Sequence, residues 1–183
     1  MEPHRSDPLR RKGLHLLSGI QAGVMGALAM LVWFAAASLW RQDPWWAFPN
    51  LMASGVYGDA VFRLGFGPAS WAGMALLVLF AGCWGALIGI AAPESASPFR
   101  FLLIALAAGL AWYYATVTPG VNRWAPLVPL YLSKPVLCVG HLIYGLFLAA
   151  ERRHFRRILA ATAAATVPGN DAHEFSAGPP PSS

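Results

Sequence analysis

Four stretches of 16 residues or more carry no Asp, Glu, Lys or Arg: residues 13–40, 64–93, 101–122 and 135–150. A hydrocarbon core about 30 Å thick takes roughly 20 apolar residues as helix. Inside lipid the backbone must satisfy its own hydrogen bonds, so such runs are read as helices. The pattern predicts an all-α integral membrane protein with four transmembrane helices, near residues 14–39, 71–92, 101–118 and 135–150. The fourth is slightly short at about 1.5 Å per residue. Either it begins before Pro135 with a kink, or Lys134 snorkels outward.

The segments between the spans are less regular. Trp40, Trp45, Trp46 and Phe48 form an aromatic cluster of the kind found at a water boundary, and Pro49 suits the first position of a short helix. Over 50–64, Asn50 and Ser54 share one side while Asp59 and Arg63 point nearly opposite. The segment is therefore expected to pack on the outer ends of the spans rather than lie as an interfacial helix. Asp59 and Arg63, four apart with the acid first, suit a local ion pair. Gly65, Gly67 and Pro68 break the chain, and Ser70 is placed to cap the second span. Residues 93–98 read as a short polar turn, and Pro119-Gly120 ends the third span. Trp124, Pro126, Pro129 and Tyr131 make a second outer loop. The last helix is expected to run on through Glu151 to Arg157, with Phe155, Ile158 and Leu159 on the membrane and Arg152, Arg153, Arg156 and Arg157 at lipid headgroups. From Val167 onward Pro, Gly and Ser dominate, which reads as disorder. The expected organisation is a basic N-terminus (1–12), a four-helix membrane domain (13–150), a basic cytoplasmic helix (151–166) and a disordered tail (167–183).

Composition sharpens this picture. Of 183 residues, 57% are hydrophobic and 11% charged, against about 25% charged in soluble domains. Mean hydropathy is +0.51, which leaves a soluble monomer nowhere to put its apolar surface. The net charge of +5 and pI near 9.7 fit anionic headgroups better than nucleic acid, because the cations flank apolar spans. One side collects Arg5, Arg10, Arg11, Lys12, Arg100, Arg152, Arg153, Arg156 and Arg157. The other collects Arg41, Arg63, Arg123 and Lys134. The first set is expected to be cytoplasmic, which puts both termini there. The first apolar run exceeds the 7–15 residues or so of a signal-peptide core, so it reads as an uncleaved anchor. Abundant Arg and Ala point to a GC-rich bacterial genome and hence to a bacterial inner membrane.

Each half reads span, outer loop with Arg, Trp and Pro, then span. Arg41…Pro44-Trp45 loosely echoes Arg123-Trp124…Pro126, and Trp84-Gly85 echoes Tyr144-Gly145. Two tandem helical hairpins related by an axis along the membrane normal are one reading of this pattern.

Small residues recur at helix-packing spacing: Gly19 and Gly23, Gly85 and Gly89, Ala81 and Gly85, Gly145 and Ala149. They let helix backbones approach, either within the chain's own bundle or in a dimer; the internal reading ranks first. Cys83 and Cys138 lie at depths differing by more than about 10 Å, which disfavours a disulfide or shared metal site. His141 stands out, because ionisable residues deep in a membrane are rare and often mark a site. Gln21 lies at a similar depth counted from the cytoplasmic ends, so a Gln21–His141 hydrogen bond is the first expectation. Tyr113, Tyr114, Thr116 and Tyr144 are alternative partners. Haem ligation by His141 lacks a second His at matching depth. No catalytic set, metal cluster, phosphate loop or nucleic-acid motif is visible, and no cofactor is expected.

Gly140-His141-Leu142, the aromatic Tyr144 and Glu151-Arg152-Arg153 resemble the end of certain uncharacterised bacterial four-span inner-membrane proteins. The resemblance implies location and topology, and no activity. The expected function is structural or accessory, through helix contacts in a homo-oligomer or with other membrane subunits. The alternatives are a small-solute transporter or channel near Gln21, His141 and Tyr113, and a haem or redox subunit using His141.

Overall fold

The computed structural model describes residues 8–91, 96–118 and 125–165, with side chains for 12–91, 96–118 and 125–150. Among them the helices are α1 (Pro8–Trp40), α2 (Ala47–Met52), α3 (Ser54–Tyr57), α4 (Pro68–Ala91), α5 (Pro98–Val117), α6 (Val128–Tyr131) and α7 (Lys134–Ala165). A 3-10 turn, Gly58–Phe62, follows α3. No strand occurs among the described residues. Three stretches are long and apolar enough to cross a membrane: Lys12–Trp40, Pro68–Ala91 and Pro98–Val117. Lys134–Ala150, the front of α7, is apolar but shorter. The chain is an all-helical membrane protein. The expected turn at 93–98 is described only in part, and Pro119, Gly120, Arg123, Trp124, the tail from Val167 and the side chains of Arg152, Arg153, Arg156 and Arg157 lie outside the described residues.

Local chemistry sets the helix ends. At the end of α1, Gln42 N–H donates to Leu39 O (3.0 Å) and Asp43 N–H to Ser38 O (2.9 Å). Gln42 takes the left-handed conformation, φ 62°, which closes a Schellman motif with Gln where Gly is usual. Ser97 caps α5 by accepting from Arg100 N–H at 3.3 Å, with Pro98 at the first helical position. Ser70 does not cap α4 in the expected sense. That helix begins two residues earlier, and Ser70 Oγ reaches back to accept from Gly67 N–H (3.2 Å). Pro49 is likewise the third residue of α2 rather than the first. Its missing N–H costs nothing there, because the first-turn donors have no partner within the helix.

α1 is the spine. It packs along α4 on one side and α7 on another, and α7 packs in turn on α5. The pairs α1–α4 and α5–α7 are the two expected hairpins. A two-fold exchanging them would press α4 on α5 as closely as α1 on α7, and it does not. A side chain bridges α4 and α5 instead: Trp84 Nε1–H donates to Ala108 O at 3.1 Å.

The end of the bundle where α1 stops and α4 starts is covered by a folded layer. Asn50 is its centre, buried to 3% exposure. Its amide donates to Leu64 O (2.9 Å) and lies 3.4 Å from both Val61 O and Gly65 O, while its carbonyl accepts from Ser70 Oγ (2.6 Å). Leu127 N–H donates to Ser54 Oγ, and Arg41 donates to Tyr131 O at 2.8 Å. Phe48 of α2 stacks on Phe34 of α1, centroids 4.0 Å apart. The expectation that 50–64 packs on the span ends therefore holds. The Asp59–Arg63 pair does not form: both side chains are exposed at the 3-10 turn, where about three residues per turn align positions three apart, not four. Among the described residues the ion pair in this layer is Arg41–Asp43, at 3.4 Å.

Candidate functional site

Two kinds of helix contact meet in the middle of the bundle. Between α1 and α4 backbone lies on backbone. A Cβ on Gly23 would overlap the Ala81 carbonyl, one on Gly19 that of Gly85, and one on Gly89 that of His15. Between α5 and α7, Gly145 sits against Ala105 and Leu106, and Gly109 against the His141 carbonyl. The small residues singled out in the sequence, Gly19, Gly23, Gly85, Gly89 and Gly145, are thus all taken up inside the chain. Two other glycines make notches for rings across the α1–α7 contact: Gly26 receives Tyr144 and Gly140 receives Phe34.

Tyr144 is fully buried, and its hydroxyl donates to Ala81 O of α4 at 2.7 Å. The Trp112 ring meets it edge-on, centroids 4.7 Å apart. One turn nearer the folded layer stands His141, 2% exposed. Its ring lies edge-to-face with Trp112 at 5.3 Å and with the half-buried Tyr113 at 5.8 Å.

A cavity of about 140 Å³ opens beside His141. Met30 and Phe34 of α1 line it, with Leu77 and Phe80 of α4, Trp112, Ala115 and Thr116 of α5, and Phe48 and Met52 from the covering layer. It occupies the place where α4 and α5 stand apart. Among the described residues its walls are apolar except at His141 and Thr116.

The hydrogen positions at that polar point follow from its partners. His141 Nδ1 lies 2.7 Å from Leu137 O. A carbonyl only accepts, so Nδ1 carries the proton, and in a neutral ring Nε2 is an acceptor. Nε2 lies 3.3 Å from Thr116 Oγ1, which also lies 2.9 Å from Trp112 O. The single Thr116 hydroxyl proton thus faces two acceptors.

Gln21 does not share this site. Its side chain is exposed, and the two ring notches show why depth counting misplaced it. Position 34 faces 140 and 26 faces 144, so His141 is level with about Met30, and Gln21 lies roughly 13 Å further along α1. The helices extend beyond the apolar runs by unequal amounts, to Pro8 and to Ala165, so counting from the run ends gave the wrong register. His141 takes Leu137 and Thr116 as partners instead. Trp112 and Phe34 were not legible as site residues. The one available signal was spacing, since Trp112 stands one helical turn before Thr116.

Cys83 and Cys138 are free thiols. No group of three or more His, Cys, Asp or Glu able to hold a metal occurs among the described residues. Among the described residues His141 is the one histidine lining the cavity, so a second axial histidine for a haem is not placed there. No family model, curated protein or solved structure matches this chain.

Proposed function

We propose that the chain crosses the membrane four times, with both termini cytoplasmic, and that its role is to hold a small, mostly apolar molecule in the cavity beside His141. The cavity carries this reading. It is about the size of an engineered apolar cavity of about 150 Å³ that stays dry and takes up benzene. The rings of Phe34, Phe48, Phe80 and Trp112 line it, which favours a binding site over a hydrated channel. The accessory role drew on the glycine faces, the two aromatic outer loops and the absence of buried acids; of these, the glycine faces are engaged inside the chain.

The fourth crossing is assigned to the front of α7, extended by its continuation past Ala150 as a single helix. The predominance of Arg and Lys at the end holding the start of α1 supports the orientation. A variant lacking Cys83 and Cys138 gives the test. A cysteine at exposed Asp59 is expected to react with an impermeant thiol reagent added outside intact cells, and one at exposed Ser97 to stay protected. The reverse pattern inverts the topology.

Binding is tested with 4-fluorotoluene, followed by its fluorine resonance on titration into purified protein in detergent, with empty micelles subtracted. Saturable binding, displaced by toluene and lost in Leu77→Phe, which puts a ring into the cavity, is the expected result. Uptake equal to that of empty micelles would remove the binding reading.

A further inference from the structure

The shortage of donors at His141 says more about what the cavity holds. The proposal below rests on the binding reading above. Nδ1–H is committed to Leu137 O, and Nε2 presents a lone pair at the cavity wall. Thr116 supplies one proton to two acceptors, Trp112 O at 2.9 Å and Nε2 at 3.3 Å. The shorter contact is also the local one, from a threonine to the carbonyl four residues back, a bond that threonines in helices commonly make. While Thr116 serves Trp112, the lone pair of Nε2 goes without a proton in an apolar surrounding, and a buried acceptor without a donor is costly. Toluene in the cavity would leave that deficit as it is. A molecule of the same size with one hydroxyl would remove it, donating to Nε2 while Thr116 stays on Trp112 O.

We propose that the cavity selects a small apolar molecule bearing a single hydrogen-bond donor, of phenol or compact-alcohol type, and that His141 Nε2 is the acceptor that reads the donor. Trp112, Phe34 and Phe48 supply the walls for the apolar body. Beyond His141 and Thr116 the described lining is apolar, so the several donors of an ammonium ion would go largely unpaired there, at a desolvation cost. A carboxylate is disfavoured as well, because it would set negative charge against an acceptor, and among the described residues the cavity lining carries no cationic side chain.

The test compares 4-fluorophenol with 4-fluorotoluene, nearly equal in volume and differing in the donor. Full-length protein in detergent is expected to bind the phenol about tenfold more tightly, with empty micelles subtracted. In His141→Leu the preference should fall to about one, with fluorotoluene binding retained. Equal binding of both compounds to the unmodified protein would overturn the proposal and leave the cavity reading intact. Binding of neither would overturn both. Should His141→Leu fail to fold, Thr116→Val decides. It deletes the competing proton and leaves Nε2 free, so the phenol preference is expected to persist or grow. Loss of the preference in Thr116→Val would assign recognition to the threonine and overturn the role given to His141.

Discussion

The contact between α1 and α4 and the contact between α1 and α7 solve the same problem by opposite means. Water drives neither, since lipid tails are as apolar as leucine, and dispersion plus a few hydrogen bonds must hold helices together. The α1–α4 contact removes side chains: Gly19, Gly23, Gly85 and Gly89 bring main chain against main chain. The α1–α7 contact adds them, with Tyr144 in the notch at Gly26 and Phe34 in the notch at Gly140. Close backbone packing leaves no volume and no polar side chain. Rings are flat and fit less completely, and polar atoms accompany them: the Tyr144 hydroxyl, the Trp112 carbonyl and the His141 imidazole. The cavity is on the ring side, and so is every candidate for chemistry.

The largest effect expected from breaking this contrast comes from Gly23→Val. Its Cβ would overlap the Ala81 carbonyl, part of the α4 main chain, and main chain cannot rotate aside as a side chain can. The loss should reach or exceed the upper end of the roughly 1–3 kcal/mol typical of overpacking. It is measured by the denaturing detergent needed to unfold the purified protein. A loss below about 1 kcal/mol would mean that the two helices can separate cheaply, and the difference between the contacts would disappear.

The same contrast separates what could be read from the sequence from what could not. Charge-free runs and glycine spacing are local signals, and they locate the apolar helices and the close faces between them. The segment folded onto the helix ends was legible because Asp59 and Arg63 point away from the side shared by Asn50 and Ser54, which leaves no single polar face for an interfacial helix. Thr116 stood among the alternative partners of His141 and is one of them, but that it displaces Gln21 was not legible, since this depends on the axial offset between α1 and α7. That offset is set by Tyr144 meeting Gly26 and Phe34 meeting Gly140. A sequence shows one ring and one glycine, each with many possible mates, and a slip of two turns leaves every local pattern unchanged. Asp59 and Arg63 failed for a related reason: their spacing suits an α-helix, and the chain there forms a 3-10 turn.

The smaller effect sits where the two contacts touch. The carbonyl of Ala81 faces Gly23 and also accepts the Tyr144 hydroxyl at 2.7 Å. Within α4 the same oxygen is placed to accept from the residue four positions on. Tyr144→Phe therefore removes one bond without stranding the acceptor, and the ring keeps its notch at Gly26. Hydrogen bonds between helices in membranes average about 0.6 kcal/mol and reach about 1.7, so the loss should fall in that range by the same unfolding measurement. Tyr144 does not line the cavity, so 4-fluorotoluene should bind this variant as it binds the unmodified protein. If stability falls within that range and binding stays constant, Tyr144 is a tie between the two contacts, and the site belongs to His141 and its neighbours. If binding collapses while the fold survives, the cavity depends on the alignment that Tyr144 imposes on α4, and the ring contact and the backbone contact are one cooperative unit rather than two.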